Sequence, residues 1–181
     1  MLDYESILCG YYVKGSDLYN LLIGHSGHVA DKAINIICEF GIDADKDFVY
    51  EAAMLHDIGI FKTYAPAILC HGNEKYIRHG VIGREILENM GYHRHALVCE
   101  RHTGSGITRD EIIASDLPLP HRDMLPLTVE EKIICYADKF FSKSQPEIEK
   151  SVDQIRKEMS HFGPGASGRF EVLHTMFSSV D

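Results

Sequence analysis

The sequence predicts an all-α protein, a single compact helical bundle with additional helices at its C-terminal end. Three observations carry this. Apolar residues recur at three- and four-residue spacing along most of the chain and seldom alternate. The apolar runs have helix ends, with Ser, Thr or Asp where they begin and Gly where they stop. With 181 residues, 45% of them hydrophobic, the folded chain should expose about 8,800 Å² of roughly 30,000 Å² extended, which is enough burial for a core without disulfides.

The first long run, residues 16–41, has Ser16 as N-cap and Gly41 as stop, and the glycines at 24 and 27 allow a bend near His25. The second begins near Asp43 or Asp45 and ends at Gly59. The third, 74–91, stops at Gly91, and the fourth, 92–104, stops at Gly104. Residues 105–127 contain Pro118, Pro120 and Pro126 and read as a loop over the surface. Thr128 and Glu131 form a capping box for the next run, which continues to Lys143. Two C-terminal runs, 146–163 and 167–180, are separated by Gly163-Pro164-Gly165. No repeat, low-complexity tract or linker divides the chain, so residues 1–181 are expected to form one domain, with a core at about 17–143 and a C-terminal extension at about 146–181.

Eighteen Lys and Arg against 27 Asp and Glu give a formal charge of −9, which disfavours an extended nucleic-acid surface. No apolar run approaches the ~18 residues that span a bilayer, and acids lie at the start where a secretion signal has basic residues, so a cytoplasmic protein with no membrane partner is expected. The five cysteines are scattered and never form Cys-x-x-Cys. Cys38, Cys99 and Cys135 lie in apolar runs and read as small core residues.

Eleven histidines are the unusual count. The sharpest local feature is His56-Asp57, two potential ligands at the end of an apolar run. Imidazole and carboxylate together suit a Lewis-acidic ion such as Fe, Mn, Ni or Zn. His28 lies one run upstream, His79 and His102 downstream. Asp138 lies among Ile133, Ile134, Tyr136, Ala137, Phe140 and Phe141, where an unpaired carboxylate is costly to bury. A metal resolves that cost; an outward-facing acid paired with Lys139 or Lys143 is the alternative. His25 reads as a neighbour of the site or a solvated residue.

The series His28, His56-Asp57, His79, His102, Asp138 resembles the HD superfamily of metal-dependent phosphohydrolases, and His56-Asp57-Ile58-Gly59 is similar to the form of its HDIG subgroup. The resemblance runs from about Ser26 to Lys143. His102-Thr103-Gly104 and EEKIICYADKF look like stretches of the family that hydrolyses diadenosine tetraphosphate symmetrically, although that family's arginine after the last Asp has no clear counterpart in DKFFSKSQPE. HGVIGREIL through RHTGSGI is similar to small HDIG proteins of bacteria and archaea.

The resemblance implies a metal held by His28, His56, Asp57 and Asp138, and a second held by His79 and His102 with Asp57 as bridge; the ions implied include Fe, Mn, Ni or Mg. In a one-metal variant His79 and His102 contact phosphate or shuttle protons instead. The activity implied is hydrolysis of a phosphomonoester or phosphoanhydride of a nucleotide or other small phosphate compound by metal-activated water, with Asp57, His79 and His102 at the reacting centre. Lys62 is the candidate for holding a non-reacting phosphate in that centre, with Arg101 second. The 105–127 loop is placed to cap the pocket. A di-iron oxygenase and a non-catalytic nucleotide- or metal-binding regulator are the other expectations, and apolar residues in the last helices leave a homodimer open.

Overall fold

The computed structural model describes residues 2–178, which fold as helices joined by short turns and two very small sheets. Helix α1 (Tyr4–Cys9) leads into α2 (Asp17–Phe40), α3 (Lys46–Leu55), α4 (His79–Asn89), α5 (His93–Arg101), α6 (Arg109–Ala114), α7 (Val129–Asp138), α8 (Val152–Ser160) and α9 (Pro164–Phe177). Strands β1 (Thr63–Ala65), β2 (Cys70–His71) and β3 (Glu74–Lys75) form a sheet in the order β2-β1-β3, and β4 (Phe141–Ser142) pairs antiparallel with β5 (Gln145–Glu149). None of the helices among the described residues is long and apolar enough to cross a membrane.

The all-helical class expected from periodicity is the class observed. Helix α2 runs unbroken through Gly24 and Gly27, because the buried stripe of Leu22, Val29, Ala30, Ala33 and Ile37 outweighs the glycine cost. Its ends are those expected: Ser16 accepts from the Tyr19 N–H, and Gly41 closes the helix at φ 61°. Asp45, rather than Asp43, caps α3 by accepting from the Phe48 N–H.

Other boundaries differ. The expected 74–91 helix starts only at His79, since residues 74–75 pair with β1 and 76–78 form a 3₁₀ turn. The 105–127 stretch contains α6, opened by a full capping box of Thr108 and Glu111. At α7 the expected box is half made. Thr128 accepts from the Glu131 N–H, but the Glu131 carboxylate accepts instead from the Leu127 N–H at 2.7 Å and from Arg101. A full box forms at Ser151 and Gln154 of α8. The β4–β5 hairpin follows α7 where a continuing helix was expected. Cys99 and Cys135 are buried as expected, whereas Cys38 is exposed on α2.

Two apolar clusters make most of the core. One joins α2, α3 and α7 to α8 and α9 through residues such as Val29, Ala33, Val49, Ile133, Ile134, Ile155 and Phe170. The other joins α1 and α2 to the 55–60 turn, α4 and α5 through Leu8, Leu22, Leu55, Ile58, Leu87 and Cys99. The end of α3 lies between them, and it carries His56-Asp57.

Candidate metal centre

Three histidines are aimed by one local device. His56 is the C-cap of α3, His102 the C-cap of α5 and His79 the first residue of α4, after a 3₁₀ turn. At each, the ring Nδ1 lies against the carbonyl three residues back: Ala53 O at 2.6 Å, Cys99 O at 2.8 Å and Tyr76 O at 2.7 Å. The Ala53 and Cys99 carbonyls lie in the last turns of α3 and α5, where carbonyls lack an intrahelical donor. The Nδ1–H is spent on the backbone, so Nε2 is the ring nitrogen that faces inward, as in a metal-binding imidazole.

Asp57 is the centre of the cluster and is fully buried. Its Oδ2 lies 3.3 Å from His25 Nε2 and 3.1 Å from His56 Nε2. Its Oδ1 lies 3.5 Å from both His79 Nε2 and His102 Nε2. Asp138, at the last residue of α7, places Oδ1 3.1 Å from His25 and 3.4 Å from His56. Two donor sets result, one of His25, His56, Asp57 and Asp138, the other of Asp57, His79 and His102, and each set could hold a metal ion. Asp57 offers one carboxylate oxygen to each.

The donors fit cations on two further observations. Buried His25 Nδ1 and Asp57 Oδ1 lack a hydrogen-bond partner, a costly state for groups removed from water. His79 Nε2 and His102 Nε2 face each other at 3.0 Å although both rings spend their Nδ1–H on carbonyls. Two lone pairs at that separation repel unless a proton or cation lies with them. Burial pushes His79 down to about 3 and lowers His102 as well, which disfavours the proton.

The rest of the cluster is held charged. Burial opposes protonation of His56, but Asp57 and Asp138 outweigh it and raise His56 to about 9. Burial would likewise raise Asp57, yet Lys143 and His56 keep its carboxyl well below the usual range; Lys139 and His25 do the same for Asp138. Lys143 places Nζ 2.6 Å from Asp57 Oδ2, and that carboxylate keeps the buried ammonium protonated against the burial that would lower it. Lys139 Nζ lies 2.7 Å from Asp138 Oδ2 and donates to His102 O at 3.1 Å.

The expected site residues divide clearly. His56, Asp57, His79, His102 and Asp138 come together, but the first histidine of the cluster is His25, not His28. In the unbroken α2, His25 is level with Asp138, while His28, one turn on, is half-buried and stacks on Phe141 with ring centroids 5.4 Å apart. Lys62 is exposed in the turn after the doublet and lies beside the Phe61 ring, away from the cluster. Arg101 donates to both oxygens of Glu131, at 3.0 and 2.9 Å, an ion pair that ties α5 to α7. The lysines that reach the centre are Lys139 and Lys143, which the sequence suggested only as partners for an outward Asp138. Asp138 is in fact both buried and paired with Lys139.

A cavity of about 770 Å³ opens from His79, His102 and Asp138. The 105–127 stretch contributes Ser105, Gly106, Ile107, Glu111, Ser115 and Leu117 to its wall, the capping place expected for it.

A helical bundle that brings four imidazoles, three of them from helix ends, and two carboxylates to one buried point defines a metal-binding class of protein. The HD domain family matches residues 22–142, two thirds of the chain, and the chain belongs to that family, which is of metal-dependent hydrolase type. An uncharacterized protein of Methanocaldococcus jannaschii is 39% identical over 126 residues, covering 68% of this chain and 67% of that protein. Two proteins named tRNA (cytidine(56)-2'-O)-methyltransferase are also similar. The one from Picrophilus torridus is 33% identical over 95% of this chain and 46% of its own length, and the one from Thermoplasma volcanium 31% identical over 98% and 47%. The chain therefore spans less than half the length of these two relatives. No solved structure matches it.

Proposed function

We propose that the protein is a metal-dependent phosphohydrolase acting on a nucleotide or another small phosphate compound. The observation that carries this reading is Asp57, which turns one oxygen to His25 and His56 and the other to His79 and His102. His25, His56, Asp57 and Asp138 would hold one divalent ion, and Asp57, His79 and His102 a second. Bound there, such ions supply a water of lowered pKa and neutralise charge building on phosphoryl oxygens.

The chain's own groups do the rest. The Nδ1 contacts to Ala53, Tyr76 and Cys99 fix each imidazole's orientation. Lys139 and Lys143 line the same cavity and give an otherwise acidic chain a local cationic patch, suited to hold phosphate oxygens.

The test is phosphate release by purified protein reloaded with Mn²⁺ or Fe²⁺, against a panel of nucleotides and a generic aryl phosphate. Turnover is expected, and Asp57→Ala is expected to lower it by more than about a hundredfold, the loss typical when a group at the reacting centre is removed. Absence of release from every compound overturns the reading. Activity with Mn²⁺ under anaerobic conditions separates it from a di-iron oxygenase.

The similarity to segments of proteins named as tRNA methyltransferases favours a second reading, a non-catalytic module that binds a nucleotide beside a methyl-transferring partner. Tight nucleotide binding by the metal-loaded protein without turnover selects it.

A further inference from the structure

Of the clustered His and Asp side chains, only His79, His102 and Asp138 reach the wall of the 770 Å³ cavity. A phosphate held there leaves most of the space for the organic part of its ester. That outer space is bordered by Ile107, Leu117, Phe141, Met159 and Phe162, so it suits an apolar or flat group. Met159 and Phe162 belong to the C-terminal segment beyond residue 142, outside the HD family match.

This part of the wall is firmly held. Ile155, Met159, Phe170 and Leu173 are buried in the core. Ser105 Oγ donates to Ala166 O at 2.8 Å, and Arg169 Nη2 donates to Gly106 O at 2.8 Å and to the Glu111 carboxylate at 2.9 and 3.0 Å. The corner between α8 and α9 is set by the Phe162 N–H donating to Met159 O at 3.0 Å, by Gly163 at φ 97° and by Pro164 in the first turn of α9. Yet the Phe162 side chain at this fixed corner is 67% exposed at the rim of the cavity. A rigid corner thus presents a bare aromatic face to the place where the outer part of a substrate lies.

We propose that the α8–α9 corner is the specificity wall of the site, and that Phe162 stacks on a planar heteroaromatic ring, a nucleobase, of the phosphate ester whose phosphate lies at the metal centre. This rests on the phosphohydrolase reading for the position of the phosphate. Stacking on an aromatic side chain tolerates any base, because each has a π-face. The wall therefore selects for the presence of a base and only weakly for its identity.

The experiment compares a nucleoside 5'-monophosphate with ribose 5-phosphate, which keeps the sugar and phosphate and lacks the ring. Phe162→Ala is expected to raise KM for the nucleotide roughly tenfold with kcat little changed, to leave ribose 5-phosphate kinetics unaltered, and Phe162→Tyr to restore the nucleotide KM. Titration calorimetry of the same ligands gives a readout independent of turnover. Phe162-dependent nucleotide binding without phosphate release sustains the wall while the hydrolase reading fails. Equal effects of Phe162→Ala on both ligands, no effect on either, or no binding of the nucleotide by the unaltered protein overturns the wall.

Discussion

His25 and His28 differ by three positions on one helix, so both lie near the same face, and spacing alone cannot choose between them. The choice is made by how far along α2 the end of α7 packs, a tertiary fact. Replacing His25 with Ala is expected to remove at least one equivalent of bound metal, measured by elemental analysis after dialysis, whereas His28→Ala keeps the full content; the opposite result would restore His28 as the ligand. The other five positions of the cluster were legible because a His-Asp doublet, two isolated histidines and an acid inside an apolar run each stand out from their neighbours. Lys139 and Lys143 were not, since a lysine after a helix end ordinarily points to solvent. The protonation states give a second expectation. In the metal-free protein His79 has a folded pKa of about 3 against 6.5 unfolded, so the unfolded chain binds more protons between these values and stability falls as pH drops below 6.5. His56 has the opposite sign. Its folded value near 9 gives stability that is complete below 6.5 and is lost as pH rises toward 9. The urea midpoint of chelator-treated protein is therefore expected to be highest near pH 6.5 and to fall on both sides. Metal-loaded protein, with His56 bound neutral, is expected to lose the alkaline fall.

The elements owe their assembly to close approaches that only small residues permit. The turn after α3 passes directly over the start of α4: a Cβ on Gly59 would stand 2.2 Å from His79 O and 2.6 Å from Gly83 N. Both obstacles are backbone, so no rotamer change relieves the clash. Gly59→Ala is expected to cost about 1–3 kcal/mol in urea unfolding, the range for overpacking, and to lower metal content by pushing His79 away from Asp57. A variant with unchanged midpoint and unchanged metal content would show that the two backbones are not in contact. The helices themselves were readable from three- and four-residue periodicity and from caps such as Ser16 and Gly41. The small sheets were not, because strands of two to five residues carry too few alternations to compete with the helical pattern on either side. Helix α6 was hidden by the prolines that follow it, although its capping box at Thr108 and Glu111 was a usable signal.

Across the whole molecule the question is whether the C-terminal helices are an attachment or part of the fold that holds the centre. Phe170 of α9 is completely buried, and its ring stacks on Tyr136 with centroids 5.9 Å apart. Tyr136 lies two residues before Asp138 on α7, and its hydroxyl is 2.8 Å from His174 Nδ1. Ile155 of α8 enters the same cluster as Ile133 and Ile134. The packing thus runs without interruption from α9 through α7 to the carboxylate that faces His25 and His56. Truncating a large aromatic in such a place costs about 3–5 kcal/mol, through lost transfer energy and the cavity left behind. Phe170→Ala is expected to show that loss in a single urea transition, with far-UV circular dichroism, Tyr fluorescence and release of bound metal coinciding at one lowered midpoint. If residues 152–177 instead form an independent appendage, the helical signal will split into two transitions and the metal will leave only in the second, at the midpoint of the unaltered protein.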